Sequence, residues 1–320
     1  MELPPRLRRA IEQALSGMAL SDLTAAGANL SQRYRDERRE GRLYVASEKD
    51  ALAYLAVRFP ATYAAARAGF AAITEARPDF APKTVLDVGA GPGTALWAAA
   101  DTWPDLAGAL LVEASPIFSA LGQRLAGEAP RPQITWRIGD VGSQEIDSAP
   151  RDLVCLSYTL NELVPEVRHA VLERLWALTA DILIIIEPGT SAGWQRILDA
   201  RRRLIEHGAH VIAPCPHAFA CPLQPPDWCH FVQRVARSRI HRQAKNAELS
   251  WEDEKFSYVA VARTPISSAA ARIIARPRKA GGHVTLKLCR ADGSVGQELF
   301  SRRDGAPFKR AWRSDWGSSL

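Results

Sequence analysis

Apolar residues in the first quarter of the chain recur at helical spacing. Leu7, Ile11 and Leu15 fall four residues apart, and the stretch from Ala51 to Arg58 is rich in Ala and Leu until Pro60 interrupts it. Such recurrence puts apolar side chains on one face, so helices are predicted up to about residue 76. From Thr84 the pattern changes to short apolar runs alternating with longer helical stretches, as in a parallel sheet wrapped by helices. Strands are predicted at Thr84–Val88, Ala109–Glu113, Gln133–Ile138, Leu153–Ser157 and Ile182–Glu187. Helices are predicted among them at Gly93–Ala100, Pro116–Ala126, Pro165–Leu178 and Ser191–His207, the last stopped by Gly208. After a proline-rich loop, FSYVAVAR from Phe256 alternates and reads as a further strand, expected to be the sheet's final one. The tail from Ala271, with HVTLKLCR and the turn ADGS, predicts a small antiparallel β unit. The expected organisation is a helical region over 1–80, a Rossmann-like α/β domain over 81–265, and a β extension over 266–320.

Composition adds a compartment and a charge asymmetry. With 320 residues, 47% hydrophobic and 24% charged, the chain can bury a substantial core. Its most apolar run, Ile182 to Ile186, is too short to cross a bilayer, and Glu2 and Glu12 stand where a signal peptide would be apolar. A cytoplasmic protein without membrane contact is expected. Five cysteines in a chain of this size fit reduced thiols better than a disulfide framework. The net charge is +6, yet residues 266–320 alone carry eleven Lys/Arg against four Asp/Glu. That basic tail fits either a solvated surface or an anionic partner. The run from Arg33, RYRDERREGR, mixes both signs and reads as a solvated helix face whose arginines can also reach phosphate.

The sequence VLDVGAGPGT follows the first predicted strand and opens a helix, the context that makes a glycine pattern a binding motif. Threonine at position 94 breaks the dinucleotide fingerprint, leaving G-x-G-x-G. With Asp87 just before it, this pattern resembles motif I of the class I S-adenosylmethionine-dependent methyltransferases. The resemblance implies cofactor contact by Asp87, Gly89, Gly91 and Gly93, ribose binding by Glu113, and adenine binding by Asp140. Each carboxylate taken alone also reads as a strand end or a helix cap. The fourth strand leads into SYTLNEL, where amino-methylating enzymes carry an Asn/Asp-Pro-Pro-aromatic motif that is absent here. Asn161 and Glu162 are the candidates to position a substrate amine or hydroxyl, and Glu187 lies on the same ligand-facing edge. Cys155 sits inside its strand and reads as a core residue rather than a nucleophile.

Three cysteines crowd into the loop over 213–232 as C-x5-C-x7-C, namely Cys215, Cys221 and Cys229, with Cys289 following. Close C-x2–4-C pairs, usual in structural zinc sites, are missing. The residues leave three readings open. The thiols are small buried hydrophobes, or they bind zinc with His217 or His230 as a possible fourth ligand, or they hold an iron–sulfur cluster walled by Phe219, Trp228 and Phe231.

Several segments together carry a wider likeness: SYTLNEL, EPGT, APCPH, CPL, DWCHF and EDEKFSYVAVAR, with AYLAVRFPATY before them and KRAWR after. They resemble the methyltransferase-like family of the mitochondrial small ribosomal subunit, known as Rsm-twenty-two in yeast and methyltransferase-like protein seventeen in animals, with bacterial relatives. The resemblance implies a role in small-subunit maturation through contact with 16S-type rRNA. It also implies a [4Fe–4S] cluster on Cys215, Cys221, Cys229 and Cys289 beside S-adenosylmethionine. With RNA as partner, Phe231 to Lys245 is expected to form a helix presenting Arg234, Arg237, His241 and Lys245 along one face to phosphates. Arg276, Arg278 and Lys279 in the tail suit the same partner. The protein is expected to be monomeric off the ribosome. An active rRNA methyltransferase and a small-molecule methyltransferase with structural zinc are the alternatives.

Overall fold

The computed structural model describes residues 1–36, 45–127, 132–143, 146–266 and 269–320. Most of the mixed-charge run from Arg33 therefore lies outside the described residues. Four helices come first: α1 (Pro5–Leu15), α2 (Leu20–Asp36), α3 (Glu48–Val57) and α4 (Phe59–Ala76). Ser47 caps α3 by accepting the Asp50 amide at 3.1 Å. Pro60 lies in the first turn of α4, where its missing N–H costs nothing, so it marks a junction between two helices.

The α/β region follows as β1 (Thr84–Val88), α5 (Thr94–Thr102), β2 (Gly108–Glu113), α6 (Pro116–Ala126), β3 (Gln133–Ile138), β4 (Arg151–Ser157), α7 (Pro165–Ala177), β5 (Thr179–Pro188), α8 (Ser191–Glu206) and β6 (His210–Ala213). It closes with β7 (Phe231–Ala236), α9 (Arg239–Ala244) and β8 (Trp251–Ala262). The strand order is β3-β2-β1-β4-β5-β8-β6, with β7 paired to the early half of β8. The first five strands are mutually parallel and β8 is antiparallel to its neighbours. This is a doubly wound, Rossmann-like sheet of the class I methyltransferase type.

Strand β5 shows why its sequence is continuously apolar. Ile182, Ile184 and Ile186 enter the core shared with the N-terminal helices, while Leu183 and Ile185 enter the core shared with α7 and α8. Both faces are covered, so no polar alternation is tolerated. Each such side chain stabilises the fold by about 1.5–3 kcal/mol.

The strand near Phe256 is the last of this sheet along the chain, and it lies inside the sheet, between β5 and the four-residue β6. One expectation needs correction here. The segment from Phe231 to Lys245 is not one helix: it is strand β7, a turn, and the short helix α9. Its first part is extended because Phe231 to Ala236 form a continuous antiparallel ladder with Phe256 to Trp251. Pairing with β8 satisfies the backbone there in place of a helical turn.

The tail forms a second sheet of β9 (Ala271–Ile273), β10 (Arg278–Ala280), β11 (His283–Arg290) and β12 (Val295–Ser301), followed by α10 (Ala306–Arg313). Strand β11 is central, pairing with the other three. Val284, Leu286 and Leu288 point toward Ala311 of α10, and the opposite face of β11 carries Cys289.

Candidate functional site

One cavity opens at the carboxyl ends of β1, β2 and β4, where doubly wound sheets bind ligands. Gly89 and Gly91 line it beside Glu113, Asp140, Tyr158 and Glu162, and Tyr54, Arg58 and Thr62 close it from the N-terminal helices. Gly89 has φ +66, and a Cβ there would stand 2.2 Å from Thr159 Oγ1. Gly91 has φ +56, but a Cβ there would meet nothing within 4 Å. The first glycine is therefore required by packing as well as backbone, and the second leaves space for a ligand. Gly93, at φ +83, starts α5.

Glu113 is buried, and its two oxygens accept the Gly91 and Ser115 amides, each at 2.7 Å. A carboxylate has about four acceptor positions, so the glycine turn and a pair of ribose hydroxyls can share it. Asp140 Oδ1 accepts the Gly142 amide at 2.8 Å at the cavity edge. Asp87 lies behind the glycines, 1% exposed, with Oδ2 lacking a partner among the described residues. Burial, then the nearby Glu113 charge, pushes the Asp87 carboxyl up to about 8. These donors and acceptors fit S-adenosylmethionine: an open glycine turn for backbone approach, and carboxylates for a ligand bearing hydroxyls, an amine and a sulfonium.

Of the two catalytic candidates, Glu162 lines the cavity and Asn161 does not. Asn161 is buried near Glu187, its Oδ1 unpartnered among the described residues. Glu187 is fully buried, bonded to Arg196 Nε at 2.6 Å, and burial pushes its carboxyl up to about 7. The sequence reading missed a further group on the acceptor side. Tyr158 holds φ +56, rare for a residue with a side chain, and donates its hydroxyl to Glu254 Oε1 at 3.0 Å. Arg58 reaches the same Glu254 oxygen at 3.4 Å. Tyr158 stood in SYTLNEL as a visible aromatic, but its tie to Arg58 and Glu254 depends on segments distant in sequence. Cys155 is fully buried within β4.

A second cavity lies between the central sheet and the tail unit, and Cys215, Cys221, Cys229 and Cys289 all line it. Cys215 follows β6, Cys229 precedes β7, and Cys289 comes from β11. The loop is fastened to both sides: Ser257 Oγ donates to the Cys229 carbonyl at 2.9 Å, Arg272 Nε donates to the Pro214 carbonyl at 3.0 Å, and Lys287 pairs with Asp227. Burial raises the Cys229 thiol well above its ordinary range, and the Cys215, Cys221 and Cys289 sulfurs add to the effect. Burial, then the Cys215 and Cys221 sulfurs, pushes Cys289 up to about 12. Ionising several thiols in such a pocket requires a cation among them. Among the described residues no three His, Cys, Asp or Glu side chains gather tightly enough to grip one metal ion. The four thiols come from separate segments and share one cavity, and thiolates are the donors that zinc or an iron–sulfur group takes.

Arg201 and Trp194 of α8, which the sequence did not single out, also line this cavity. So does His217, whose Nε2 lies 3.3 Å from Cys289 Sγ. His230 stacks on Trp228 at 5.2 Å and does not line the cavity. Phe219 is 63% exposed and lies over Gly293, so it is no cavity wall.

The residues expected to meet RNA divide in two. Arg237 and Lys245 bind Glu252 at 2.8 and 2.6 Å, and His241 is 1% exposed with Nε2 3.3 Å from the same carboxylate. Arg234 pairs with Asp253 at 2.9 Å and stacks on Trp251 at 3.7 Å. These four do not share one exposed face, because Arg234 on β7, Arg237 after it, and His241 and Lys245 at α9 all turn toward the acidic start of β8. Arg276, Arg278 and Lys279 are exposed on the tail unit, Arg276 reaching Asp253 at 3.7 Å, and Arg302, Arg303, Lys309, Arg310 and Arg313 are exposed there too. Lys279 lies 6.0 Å from the ring of exposed Trp312. No helix among the described residues is long and apolar enough to cross a membrane.

Comparison with known proteins gives a consistent match. The family model "Mitochondrial small ribosomal subunit Rsm22" matches residues 48–320. The chain is 30% identical over 297 residues to the ribosome assembly protein METTL17, mitochondrial, of Homo sapiens, covering 84% of this chain and 62% of that protein. It is 24% identical over 325 residues to the Rsm22-cox11 tandem protein 2, mitochondrial, of Schizosaccharomyces pombe, covering 85% of this chain and 43% of that protein. The chain thus spans less than two thirds of either relative. Among solved structures, magnesium protoporphyrin IX methyltransferase from Synechocystis with bound SAM is similar at TM-score 0.43 and 16% identity, covering 78% of this chain and all of that one (100%). A putative RNA methyltransferase from Pyrococcus horikoshii is similar at TM-score 0.41 and 14% identity, covering 62% of this chain and 83% of that one.

Proposed function

Because the chain belongs to the Rsm22 family of the mitochondrial small ribosomal subunit, we propose that it is a methyltransferase-like factor for small-subunit assembly. In this reading it binds S-adenosylmethionine, holds a [4Fe–4S] cluster and contacts 16S-type rRNA. The observation that carries it is the cysteine cavity: four thiols from separate segments line one space between the methyltransferase-type sheet and the basic tail. Cys215, Cys221, Cys229 and Cys289 would hold the cluster. When bound, it would supply a covalent tie between sheet and tail, a structural use of iron. The wide spacing C-x5-C-x7-C, without a close C-x2–4-C pair, supports this over structural zinc.

Gly91, Glu113 and Asp140 support the cofactor reading by lining one cavity at the strand ends. The RNA contact is assigned to the tail, where Arg276, Arg278 and Lys279 are exposed, and no longer to the segment of Arg234, Arg237, His241 and Lys245. Catalysis is not required for this function, and Glu162 is the candidate left at the cavity should methyl transfer occur. The same reading takes the protein as cytoplasmic and as monomeric off the ribosome, the latter checked by light scattering.

The test is Cys221→Ser in the full chain, purified anaerobically. It should lose iron, sulfide and the brown chromophore, and with them binding to small subunits. Binding that persists without iron would defeat the structural role. Zinc in place of iron in the unaltered protein would defeat the cluster.

A further inference from the structure

Four thiols do not account for all that faces the cysteine cavity. Helix α8 buries a stripe of Trp194, Ile197, Arg201 and Leu204, and the cation in that stripe is 5% exposed. Arg201 donates Nη2 to the His217 carbonyl at 2.7 Å, while its Nε has no partner among the described residues. It forms no ion pair with any carboxylate among the described residues, and the cavity walls contain no Asp or Glu. A guanidinium stays charged at physiological pH, and a buried charge without a counter-ion is strongly destabilising. Trp194 Nε1 is likewise buried without a partner among the described residues, and His217 turns Nε2 to within 3.3 Å of Cys289 Sγ. All three side chains line the same cavity as the cysteines.

The chemistry of these orphans is one-sided. Arg201 and Trp194 can only donate hydrogen bonds, and a neutral imidazole donates from one nitrogen. Donors without acceptors, and a cation without an anion, define the missing partner as anionic and rich in acceptors. Thiolates around a metal centre are such a partner: their combined charge exceeds that of the metal core, and their sulfurs accept N–H bonds. Resting on the cluster reading above, we propose that Arg201, His217 and Trp194 form a donor set that neutralises and hydrogen-bonds an anionic metal–thiolate centre on the four cysteines. Arg201 supplies the compensating charge, and His217 is placed against the sulfur of Cys289.

The test compares Arg201→Met, Arg201→Lys and Trp194→Phe with the unaltered full chain, each reconstituted anaerobically with iron and sulfide. Removing the charge in Arg201→Met should speed iron release to a ferrous chelator at least tenfold. It should also move the cluster's midpoint potential negative, by about 59 mV if the one-electron equilibrium changes tenfold. Arg201→Lys, which keeps the charge, should stay within threefold of the unaltered release rate. The iron-free proteins should show the reverse order, with Arg201→Met melting no lower than the unaltered chain, because an unpaired buried charge has been removed. Trp194→Phe deletes one N–H and should speed release by a smaller factor; it carries the test should Arg201→Met not fold. Release rates and potentials unchanged in both Arg201→Met and Trp194→Phe would overturn the proposal while leaving the cluster reading intact. An unaltered chain that takes up no iron or sulfide would instead sink the cluster reading, and this inference with it.

Discussion

Glu252→Gln separates two roles for the basic segment after the third cysteine. Glu252 is bound by Arg237 at 2.8 Å, Lys245 at 2.6 Å and His241 at 3.3 Å, with side-chain exposures of 14%, 23% and 1% beside its own 14%. Burial alone would raise its carboxyl, but the hydrogen bonds of His241, Lys245 and Arg237 and the Lys245 charge outweigh it and hold Glu252 well below the usual range. A depressed carboxylate stabilises the fold above its unfolded pKa of roughly 4.3 and loses that contribution as pH falls further. Glutamine removes the anion and strands its cations. Breaking a buried pair costs about 3–5 kcal/mol, and the partial exposure here argues for roughly 3. At about 2.1 cal/mol/K per residue over 320 residues, 3 kcal/mol corresponds to roughly 4–5 °C in Tm. Differential scanning calorimetry at pH 7 should show that loss, and the gap to the unaltered protein should narrow below pH 4. RNA affinity of the folded Arg237→Met and Lys245→Met variants should match the unaltered protein. A Glu252→Gln Tm within 1 °C, together with weaker and less salt-dependent RNA binding by the arginine and lysine variants, would refute the structural role and return Arg237 and Lys245 to the RNA-contacting surface.

Three further outcomes follow from the same geometry. Glu113→Gln should weaken S-adenosylmethionine binding at least tenfold by isothermal titration, since charge-assisted hydrogen bonds contribute about 1.5–3 kcal/mol each; unchanged affinity would remove Glu113 from the cofactor site. Asp87, pushed up to about 8 by burial, binds a proton in the fold that the unfolded chain releases near pH 4, so ligand-free stability should fall as pH rises between those values. Asp87→Asn should flatten that decline in Tm, and an unchanged slope would show that the carboxyl is ionised in the fold. On the tail, Arg303→Glu with Lys309→Glu should lower the slope of log affinity for single-stranded RNA against log salt by about 0.7 for each phosphate no longer bound, and Trp312→Ala should cost about 1–3 kcal/mol if a base stacks there. Equal weakening on an anionic vesicle would point to charge without RNA.

What the sequence disclosed follows from which forces are local. Strand β5 was legible because two-sided burial forces an unbroken apolar run, and the glycine turn because positive φ at Gly89 and Gly91 admits little else. Strand β6 was not, since four residues carry too little pattern to register. The segment after Cys229 misled for a specific reason. Arg234, Arg237, His241 and Lys245 are spaced by three and four residues as on a helix, although the backbone over Phe231–Ala236 is extended. The deciding signal lay elsewhere in the chain: the acidic start of β8, Glu252 to Glu254, runs antiparallel to β7 and sets Asp253 against Arg234. A basic stretch is therefore evidence of an external polyanion only after the chain's own acidic runs have been tried against it. The same logic works in reverse at the cysteine cavity. Arg201 interrupts the stripe of Trp194, Ile197 and Leu204, and a cation at a core position of a helix asks for an anion on the strength of its spacing alone. Among the described residues the chain offers it none, so the cation points beyond the chain to what the four thiols hold.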